Sequence, residues 1–195
     1  MSKTRDQIND FLREINVEGK TVLDVGAGRP RAWIFPPEGN PKVKGTPKDY
    51  KTADINPEFG CDYNFDLNDV PLSVLERFDY VFCLETLEHI WNPLGALTNL
   101  SNLVEEKLFI TTPFVYPIHD VVDYLRYTLQ WFEKVLPKYG FKDVEIIPRV
   151  ATDKEGLHKF YVAEGSRMSK ISRKLGYSKN YYDVGYNVIA SKGGD

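Results

Sequence analysis

The feature that most constrains the fold is a repeated pattern in which a short apolar run carries an acidic residue near its carboxyl end. Four such runs, at 21–25, 52–55, 63–67 and 78–84, bring with them Asp24, Asp54, Asp66 and Glu85. Their length and their β-branched or aromatic content are typical of buried strands. A single aspartate is usually a turn former or a cap. Four carboxylates at successive strand ends instead indicate a ligand site at one edge of a sheet.

Helical periodicity alternates with these strands along the chain. Apolar residues recur at helical spacing in 4–16, and helices are also predicted at 93–104 and 129–139. Further strands are predicted at 107–112, 144–147 and 186–190. This alternation predicts an α/β protein with a Rossmann-like fold, a mostly parallel central sheet and helices on both faces. The 195 residues suit a single domain, with an insertion or cap at about 151–181.

A glycine turn, Gly26-Ala27-Gly28, follows the first strand. Glycines there let the backbone turn tightly and approach a ligand closely. The third glycine of the dinucleotide fingerprint is absent, because Arg31 occupies its position. Asp24 would also repel a pyrophosphate beside the turn. These two points weaken the hypothesis of a nicotinamide-dependent Rossmann oxidoreductase.

Several stretches of the chain belong together as a set of motifs. They are VLDVGAG at 22–28, ADINP at 53–57, FDL at 65–67, FDYVFCLETLEHI at 78–90, TTPF at 111–114 and YGF at 139–141, together with His119, Asp123, Tyr124, Arg126, Tyr127 and Thr128. This set, which covers roughly residues 20–150, resembles the class I S-adenosylmethionine (SAM) dependent methyltransferases, and in particular their methyltransferase type 11 branch. One departure is the stretch 29–50, which is rich in proline and glycine where the first crossover helix is expected.

The resemblance implies SAM as the cofactor, and it implies a role for each matching residue. SAM has no phosphate, and carboxylates suit its sulfonium, ammonium and ribose hydroxyls. Asp24 would contact the methionyl amino group, directly or through water. The other implied cofactor contacts are Gly26, Ala27 and Gly28 at the methionine moiety, Asp54 at the ribose, Ile55, Asp66 and Leu67 at the adenine, and Glu85 and Thr86 beneath the sulfonium.

The acceptor side is predicted from polar residues that follow the fourth and fifth strands. His119 is the favoured general base and His89 a second candidate, although a lone histidine such as His89 is more often structural. Asp123, Arg126 and Tyr127 are predicted to contact the acceptor. If this segment turns helically, His119, Asp123 and Arg126 share one face. The alternative is a structural ion pair between Asp123 and Arg126.

The predicted function is methyl transfer to a small hydroxylated acceptor, with a sugar or glycan precursor as the first hypothesis. A SAM-binding protein without transfer activity, acting as a regulator or partner subunit, is the main alternative. The net charge of −3 gives no strong nucleic-acid signal. A basic stretch at 167–179 favours a solvated helix face over a patch for an acidic substrate.

Other classes of protein are disfavoured by what the sequence lacks. Cys61 and Cys83 have no metal-ligand spacing, so no metal is predicted, and Cys83 is expected to be buried. No apolar run is long enough to span a membrane, and no signal peptide follows Met1. A cytoplasmic location is therefore predicted.

Overall fold

The computed structural model describes residues 3–28, 34–36, 39–69, 76–118, 120–152 and 181–193. Three sequence predictions fall largely or wholly outside this part of the chain. They are the cap at 151–181, of which only the two ends are described as parts of strands, the basic stretch 167–179 and His119.

The described residues form a seven-stranded sheet and three α-helices. In chain order these are α1 (Lys3–Arg13), β1 (Thr21–Val25), β2 (Asp49–Asp54), β3 (Tyr63–Asn64), β4 (Phe78–Leu84), α2 (Pro93–Leu103), β5 (Val104–Pro113), α3 (Leu129–Val135), β6 (Phe141–Thr152) and β7 (Tyr181–Lys192). Short 3-10 turns lie at Pro57–Phe59, Leu87–His89 and Leu136–Tyr139.

The strand order across the sheet is β3-β2-β1-β4-β5-β7-β6. Strands β1 to β5 are parallel to their neighbours, whereas β7 is antiparallel to both β5 and β6. The predicted Rossmann-like, mostly parallel fold is therefore confirmed. The order reverses between β1 and β4, and the crevice outside the carboxyl ends of strands at such a point is where open α/β sheets bind ligands.

Helices pack on both faces of the sheet, as the periodicity predicts. On one face Leu12 of α1 packs with Phe82 and Phe109, whose rings stack with centroids 4.6 Å apart. On the other face Leu97 of α2 and Phe132 of α3 lie in the second cluster, and neither is exposed. Burying one such side chain stabilises the fold by roughly 1.5–3 kcal/mol. These two layers hold the strand ends in place.

Several element bounds differ from the sequence prediction for identifiable reasons. The third predicted strand keeps only Tyr63–Asn64, so Asp66 lies in a turn beyond the strand, where Asp69 N donates to Asp66 O. Helix α3 ends at Val135, and the chain continues as a 3-10 turn. Pro137 explains this change, because proline lacks the N–H that an α-helix interior needs.

The outer edge of β6 is covered by a side chain from α1. Gln7 Nε2 donates to Val150 O, and Val150 N donates to Gln7 Oε1, both at 2.9 Å. A primary amide bonded in this way occupies both main-chain groups of one residue of an edge strand.

Candidate active site

A cavity of about 530 Å³ opens at the carboxyl ends of the parallel strands. It lies where β1, β2 and β4 end, which is the point at which the strand order reverses. Of the predicted site residues, those lining it are Gly26, Asp54, Ile55, Asp66, Leu67, Glu85, Thr86 and His89.

The glycine turn closes the end of β1 against its neighbours. Gly26 and Gly28 have φ of 71° and 62°, which other residues adopt at a cost. A Cβ on Gly26 would lie 2.3 Å from Thr86 Oγ1, so only glycine fits between the ends of β1 and β4. The N–H groups of Gly26 and Ala27 donate to Ala53 O at 2.9 and 3.1 Å, which fixes the turn to β2.

Asp54 is held by the same turn. Its Oδ2 accepts from Gly28 N at 2.8 Å and its Oδ1 from Asn56 N at 2.9 Å. Each carboxylate oxygen has about two acceptor sites, so each retains one for a ligand. Ile55 follows with 64% of its surface exposed in the cavity. A hydrogen-bond acceptor therefore lies directly beside an apolar platform.

Phe65 and Leu67 form the buried, apolar part of the cavity wall beside this platform. Asp66 between them is exposed, and its Oδ1 accepts from both the main-chain and side-chain nitrogens of Asn68 at 2.9 Å. An apolar wall with a carboxylate at its rim suits a flat heterocycle that carries an amino group.

Asp24, predicted to meet the cofactor directly or through water, does not itself line the cavity. It is 1% exposed, and its Oδ2 accepts from the Tyr50 hydroxyl at 3.0 Å. Burial, together with the charge of Asp54, raises the pKa of Asp24 to about 7, although the hydrogen bond from Tyr50 lowers it. Ala27 and Gly28 are also absent from the lining, so their contribution is to shape the turn.

Glu85 directly follows β4 with φ of 48°, and it is the one non-glycine residue with positive φ in the described part of the chain. Its N–H donates to Thr111 O and Thr111 Oγ1, at 2.9 and 3.0 Å. Its Oε1 accepts from Arg149 Nη2 at 2.8 Å. Such backbone strain clusters at functional sites.

The turn Leu87–His89 joins the cavity to the loop after β5. Glu88 O accepts from Tyr124 N at 2.9 Å and from Leu125 N at 3.2 Å. His89 Nδ1 donates to Val122 O, so this geometry assigns the proton of a neutral ring to Nδ1. The Glu88 side chain is fully buried, and burial together with the charge of Glu85 raises its pKa to about 8.

An ion pair fixes the loop itself. Arg126 donates through two nitrogens to Asp123, whose side chain is fully buried, and its Nη2 lies 3.3 and 3.4 Å from the carbonyl oxygens of Tyr116 and Pro117. Residues 120–128 contain no helix. The helical turn on which a shared face of Asp123 and Arg126 depended is therefore absent from this stretch, and the two residues form the ion pair of the alternative hypothesis.

Tyr127 is a core residue, contrary to its predicted place beside the acceptor. It is 3% exposed, its hydroxyl donates to Leu87 O at 2.8 Å, and its ring packs 4.5 Å from that of Trp131. Asp123, Arg126 and Tyr127 are all absent from the cavity lining.

Nine lining residues were not among the predicted site residues: Val25, Ala53, Phe65, Asn68, Ile90, Trp91, Asp120, Val122 and Tyr124. Trp91, 69% exposed, directly follows the motif at 78–90, and its position there was an available signal. Val122 accepts from the His89 side chain and Tyr124 N donates to Glu88 O, and no local pattern indicates either contact with the turn at 87–89. Arg149, behind Glu85, was also missed, because it is 37 residues away from the nearest motif residue it contacts, Thr112.

Neither a metal-binding cluster nor a membrane-spanning helix is present in the described ranges. They contain no group of three or more His, Cys, Asp or Glu residues arranged to hold a metal ion. Within the same ranges, no helix has the length and apolarity needed to cross a bilayer.

The sheet order, the reversed β7 and the cavity at the switch point define the fold of the class I SAM-dependent methyltransferases. Solved structures with this fold include a SAM-dependent methyltransferase from Archaeoglobus fulgidus, which is 17% identical, with a TM-score of 0.64 over 96% of this chain and 94% of that one. Magnesium protoporphyrin IX methyltransferase from Synechocystis PCC 6803 with bound S-adenosylhomocysteine is 15% identical, with a TM-score of 0.55 over 98% and 83%.

The N-terminal domain of EvdMO1, solved in the presence of S-adenosylhomocysteine and D-fucose, is 13% identical, with a TM-score of 0.58 over 99% of this chain and 84% of that one. No family model matches the sequence, and no curated protein matches it. The similarity is therefore one of fold.

Proposed function

We propose that this protein is a SAM-dependent methyltransferase that acts on a small hydroxylated acceptor. The observation that carries the proposal is the charge of the cavity. Its described lining includes the carboxylates of Asp54, Asp66, Glu85 and Asp120, and no lysine or arginine. Such a wall attracts a cationic ligand and repels phosphates. SAM carries a sulfonium and an ammonium and has no phosphate.

Each of the proposed cofactor residues would contact a different part of SAM. Asp54 would accept from the ribose hydroxyls with the two acceptor sites that its main-chain partners leave. Ile55 would pack on the adenine, and Asp66 would accept from the adenine amino group beside Leu67. Glu85 and Thr86 would face the sulfonium. Gly26 would let the methionine part of SAM approach the backbone at the end of β1.

Asp24 would act on the methionine part of SAM without direct contact. Because it is buried behind the cavity lining, its interaction with the methionyl amino group requires a bridging water.

The reaction is a displacement at the methyl carbon. An acceptor oxygen forms a bond to that carbon while the carbon–sulfur bond breaks, and the electron pair leaves with sulfur as the neutral thioether S-adenosylhomocysteine. The proton of the acceptor hydroxyl passes to a base. His119 is the proposed base, and His89, which lines the cavity, is the second candidate. The protein contributes mainly alignment of the two reactants and exclusion of water.

A sugar or glycan precursor is the proposed acceptor class. Its support is the branch that the segment from His119 to Thr128 resembles, together with the EvdMO1 domain that was solved with D-fucose. The cavity rim has the aromatic side chains of Trp91 and Tyr124, together with polar atoms that are not assigned to the cofactor. Such a rim suits a ring that has both hydroxyl and apolar faces.

Thermal shift with three ligands tests the cofactor. SAM and S-adenosylhomocysteine are expected to raise the melting temperature, with a stabilisation of about 2.7 kcal/mol at 100 times the dissociation constant. NAD is expected to leave it unchanged, because its pyrophosphate meets the acidic wall. A shift with NAD and with neither SAM ligand contradicts the proposal.

Turnover tests the transfer step and separates an enzyme from a SAM-binding subunit. With SAM and hydroxylated acceptors such as free sugars, the wild type is expected to form S-adenosylhomocysteine in proportion to methylated product. His119→Ala is expected to lower turnover by roughly 10²-fold, with SAM affinity and melting temperature nearly unchanged. A wild-type rate in this variant on the true acceptor excludes His119 as the base.

A further inference from the structure

Three unfavourable local features meet behind the cavity wall. Glu85 has a positive φ, which glutamate rarely adopts. The Arg149 side chain is fully buried. Its Nε and Nη1 make no hydrogen bond within the described ranges, and that is costly for a charged group. Natural sequences tend to retain such violations at functional sites.

Arg149 reaches the cavity wall from the far edge of the sheet. It lies on β6, paired with Gly185 of β7, and two strands separate it from β4. Its Nη2 donates to Thr112 O and to Glu85 Oε1. One guanidinium nitrogen thus donates both to a main-chain carbonyl and to a carboxylate that lines the cavity.

Gly185 is the residue that makes this crossing possible. A Cβ at this position would lie 2.2 Å from Arg149 Nη2 and 2.6 Å from Arg149 Cζ. The absence of a side chain on β7 therefore leaves a channel that the arginine fills. Because this glycine is not in the left-handed region, clearance for Arg149 rather than backbone conformation accounts for it.

We infer that Arg149 is a positioning residue that holds the Glu85 carboxylate against the cationic sulfur of the cofactor. The main-chain bonds of Glu85 to Thr111 fix its backbone, but they leave the side-chain torsions free. The contact with Arg149 removes that freedom. One carboxylate oxygen is bound to the guanidinium, and the other remains for the cavity. This inference rests on the proposed function, because it assigns the cation in the cavity to SAM.

Its consequence is a preference between two ligands that differ in one charge. SAM is a sulfonium, whereas S-adenosylhomocysteine is a neutral thioether with the same adenosine and amino-acid groups. Loss of an oriented carboxylate at the sulfur weakens the binding of SAM more than the binding of S-adenosylhomocysteine. A general loss of structure weakens the binding of both ligands alike.

Calorimetric titration of both ligands into five variants tests the inference. The variants are Arg149→Met, Arg149→Lys, Glu85→Gln, the double variant that combines Glu85→Gln with Arg149→Met, and Arg77→Met as the control. Arg77 pairs with Glu105 at 3.1 Å on the surface, far from the cavity lining. Melting temperature and circular dichroism establish that each variant is folded.

Arg149→Met is expected to weaken SAM by roughly tenfold and S-adenosylhomocysteine by about twofold or less, as is Glu85→Gln. In the Glu85→Gln background, Arg149→Met is expected to change SAM affinity by less than about twofold, since the two residues act as one unit. The SAM affinity of Arg149→Lys should lie between those of the wild type and Arg149→Met, because an ammonium is a point charge without the planar fork of the guanidinium. The Arg77→Met control should bind both ligands as the wild type does.

Two outcomes overturn the inference. One is an equal loss of SAM affinity from Arg149→Met in both backgrounds, and the other is an equal loss for both ligands. If Arg149→Met does not fold, the same cycle is measured with Arg149→Lys. An equal loss of SAM affinity from Arg149→Lys with and without Glu85→Gln then also overturns the inference. A wild type that binds neither ligand instead contradicts the proposed function, so the two failures are distinguishable.

Discussion

The two sides of the cavity are held by different kinds of interaction. The cofactor side, at the ends of β1 and β2, is fixed by short hydrogen bonds that main-chain N–H groups of the glycine turn donate to β2. Gly26 N donates to Ala53 O, and Gly28 N donates to the Asp54 carboxylate. The opposite side, formed by the loop after β5, depends on the Asp123–Arg126 ion pair and on the Glu88 carbonyl. The first arrangement orients charged side chains at little cost in folding free energy. In the second, the stability of the cavity wall formed by the loop after β5 depends on a few side chains.

Arg126→Met provides the largest expected effect, on the loop side. It leaves the buried Asp123 carboxylate without its guanidinium, and breaking a buried pair in this way costs about 3 kcal/mol. The melting temperature should fall by roughly 6–12 °C for a chain of this size. SAM affinity of the folded fraction should change by less than about threefold. Thermal unfolding and calorimetry measure the two quantities.

The matched control is Arg13→Met. Arg13 pairs with Asp10 at 2.6 Å, but both side chains are more than half exposed, so the loss should be below about 0.5 kcal/mol. Equal melting temperatures for the two variants would show that the Asp123–Arg126 pair does not hold the loop.

The pH dependence of stability tests the buried acid on the cofactor side. The folded-state pKa of Asp24, about 7, lies above its ordinary value of 3.8, so the folded state binds its proton more tightly than the unfolded state does. This contribution to stability is complete below about pH 4 and is lost as the pH rises through about 7. Asp24→Asn removes it.

Between pH 5 and 8, the wild type is expected to lose up to about 2 kcal/mol relative to Asp24→Asn. Denaturant unfolding of both proteins across this range measures the difference, and Asp69→Asn, an exposed acid, should follow the wild type. Parallel pH profiles for wild type and Asp24→Asn would mean that Asp24 is not desolvated in the folded protein.

Asp54→Ala tests the cofactor side directly. Loss of the carboxylate that is proposed to accept from the ribose would leave buried ligand hydroxyls without a partner, so SAM should bind roughly tenfold more weakly, or about 1.4 kcal/mol. Asp69→Ala should bind SAM as the wild type does. Calorimetry distinguishes them, and equal affinities would remove Asp54 from the ribose site. Together with Arg126→Met, this variant is expected to separate binding from stability.

Thr128→Ala gives the smallest effect, where the loop ends. Thr128 Oγ1 accepts from Trp131 N at 3.2 Å at the start of α3, and loss of such a cap costs about 1 kcal/mol. Thr98→Ala is the control, because the Thr98 hydroxyl only donates to a carbonyl inside α2 and is exposed. Thermal unfolding should show a decrease for Thr128→Ala alone, and a similar decrease for both would remove the capping role.

The sequence was a good guide wherever the determining interactions are local. Strands β1 and β4 match their predicted bounds, because each depends on a few consecutive residues. The fold class follows from the alternation of such elements. Gly26 and Asp54 were placed at the cavity for the same reason, since strand ends at a switch point converge.

Where long-range contacts decide, the sequence was a poor guide. Tyr127 was predicted beside the acceptor, but its hydroxyl reaches Leu87, 40 residues away, in the core. Asp24 was predicted to meet the cofactor directly or through water, and the sequence did not indicate that its carboxylate is buried and accepts from the Tyr50 hydroxyl, 26 residues away. Arg149 had no local signal, because its function depends on a carboxylate 64 residues away.

The Gln7–Val150 contact has a consequence for how the protein behaves at high concentration. An exposed edge strand is a template on which another chain can add a strand, and that is a route to aggregation. At twelve residues β6 is long for an edge. Gln7 occupies both main-chain groups of Val150, and Pro148 lacks an N–H altogether. The second half of the strand therefore cannot pair fully with another chain. In its first half, the charged side chains of Lys142, Asp143 and Glu145 oppose such pairing.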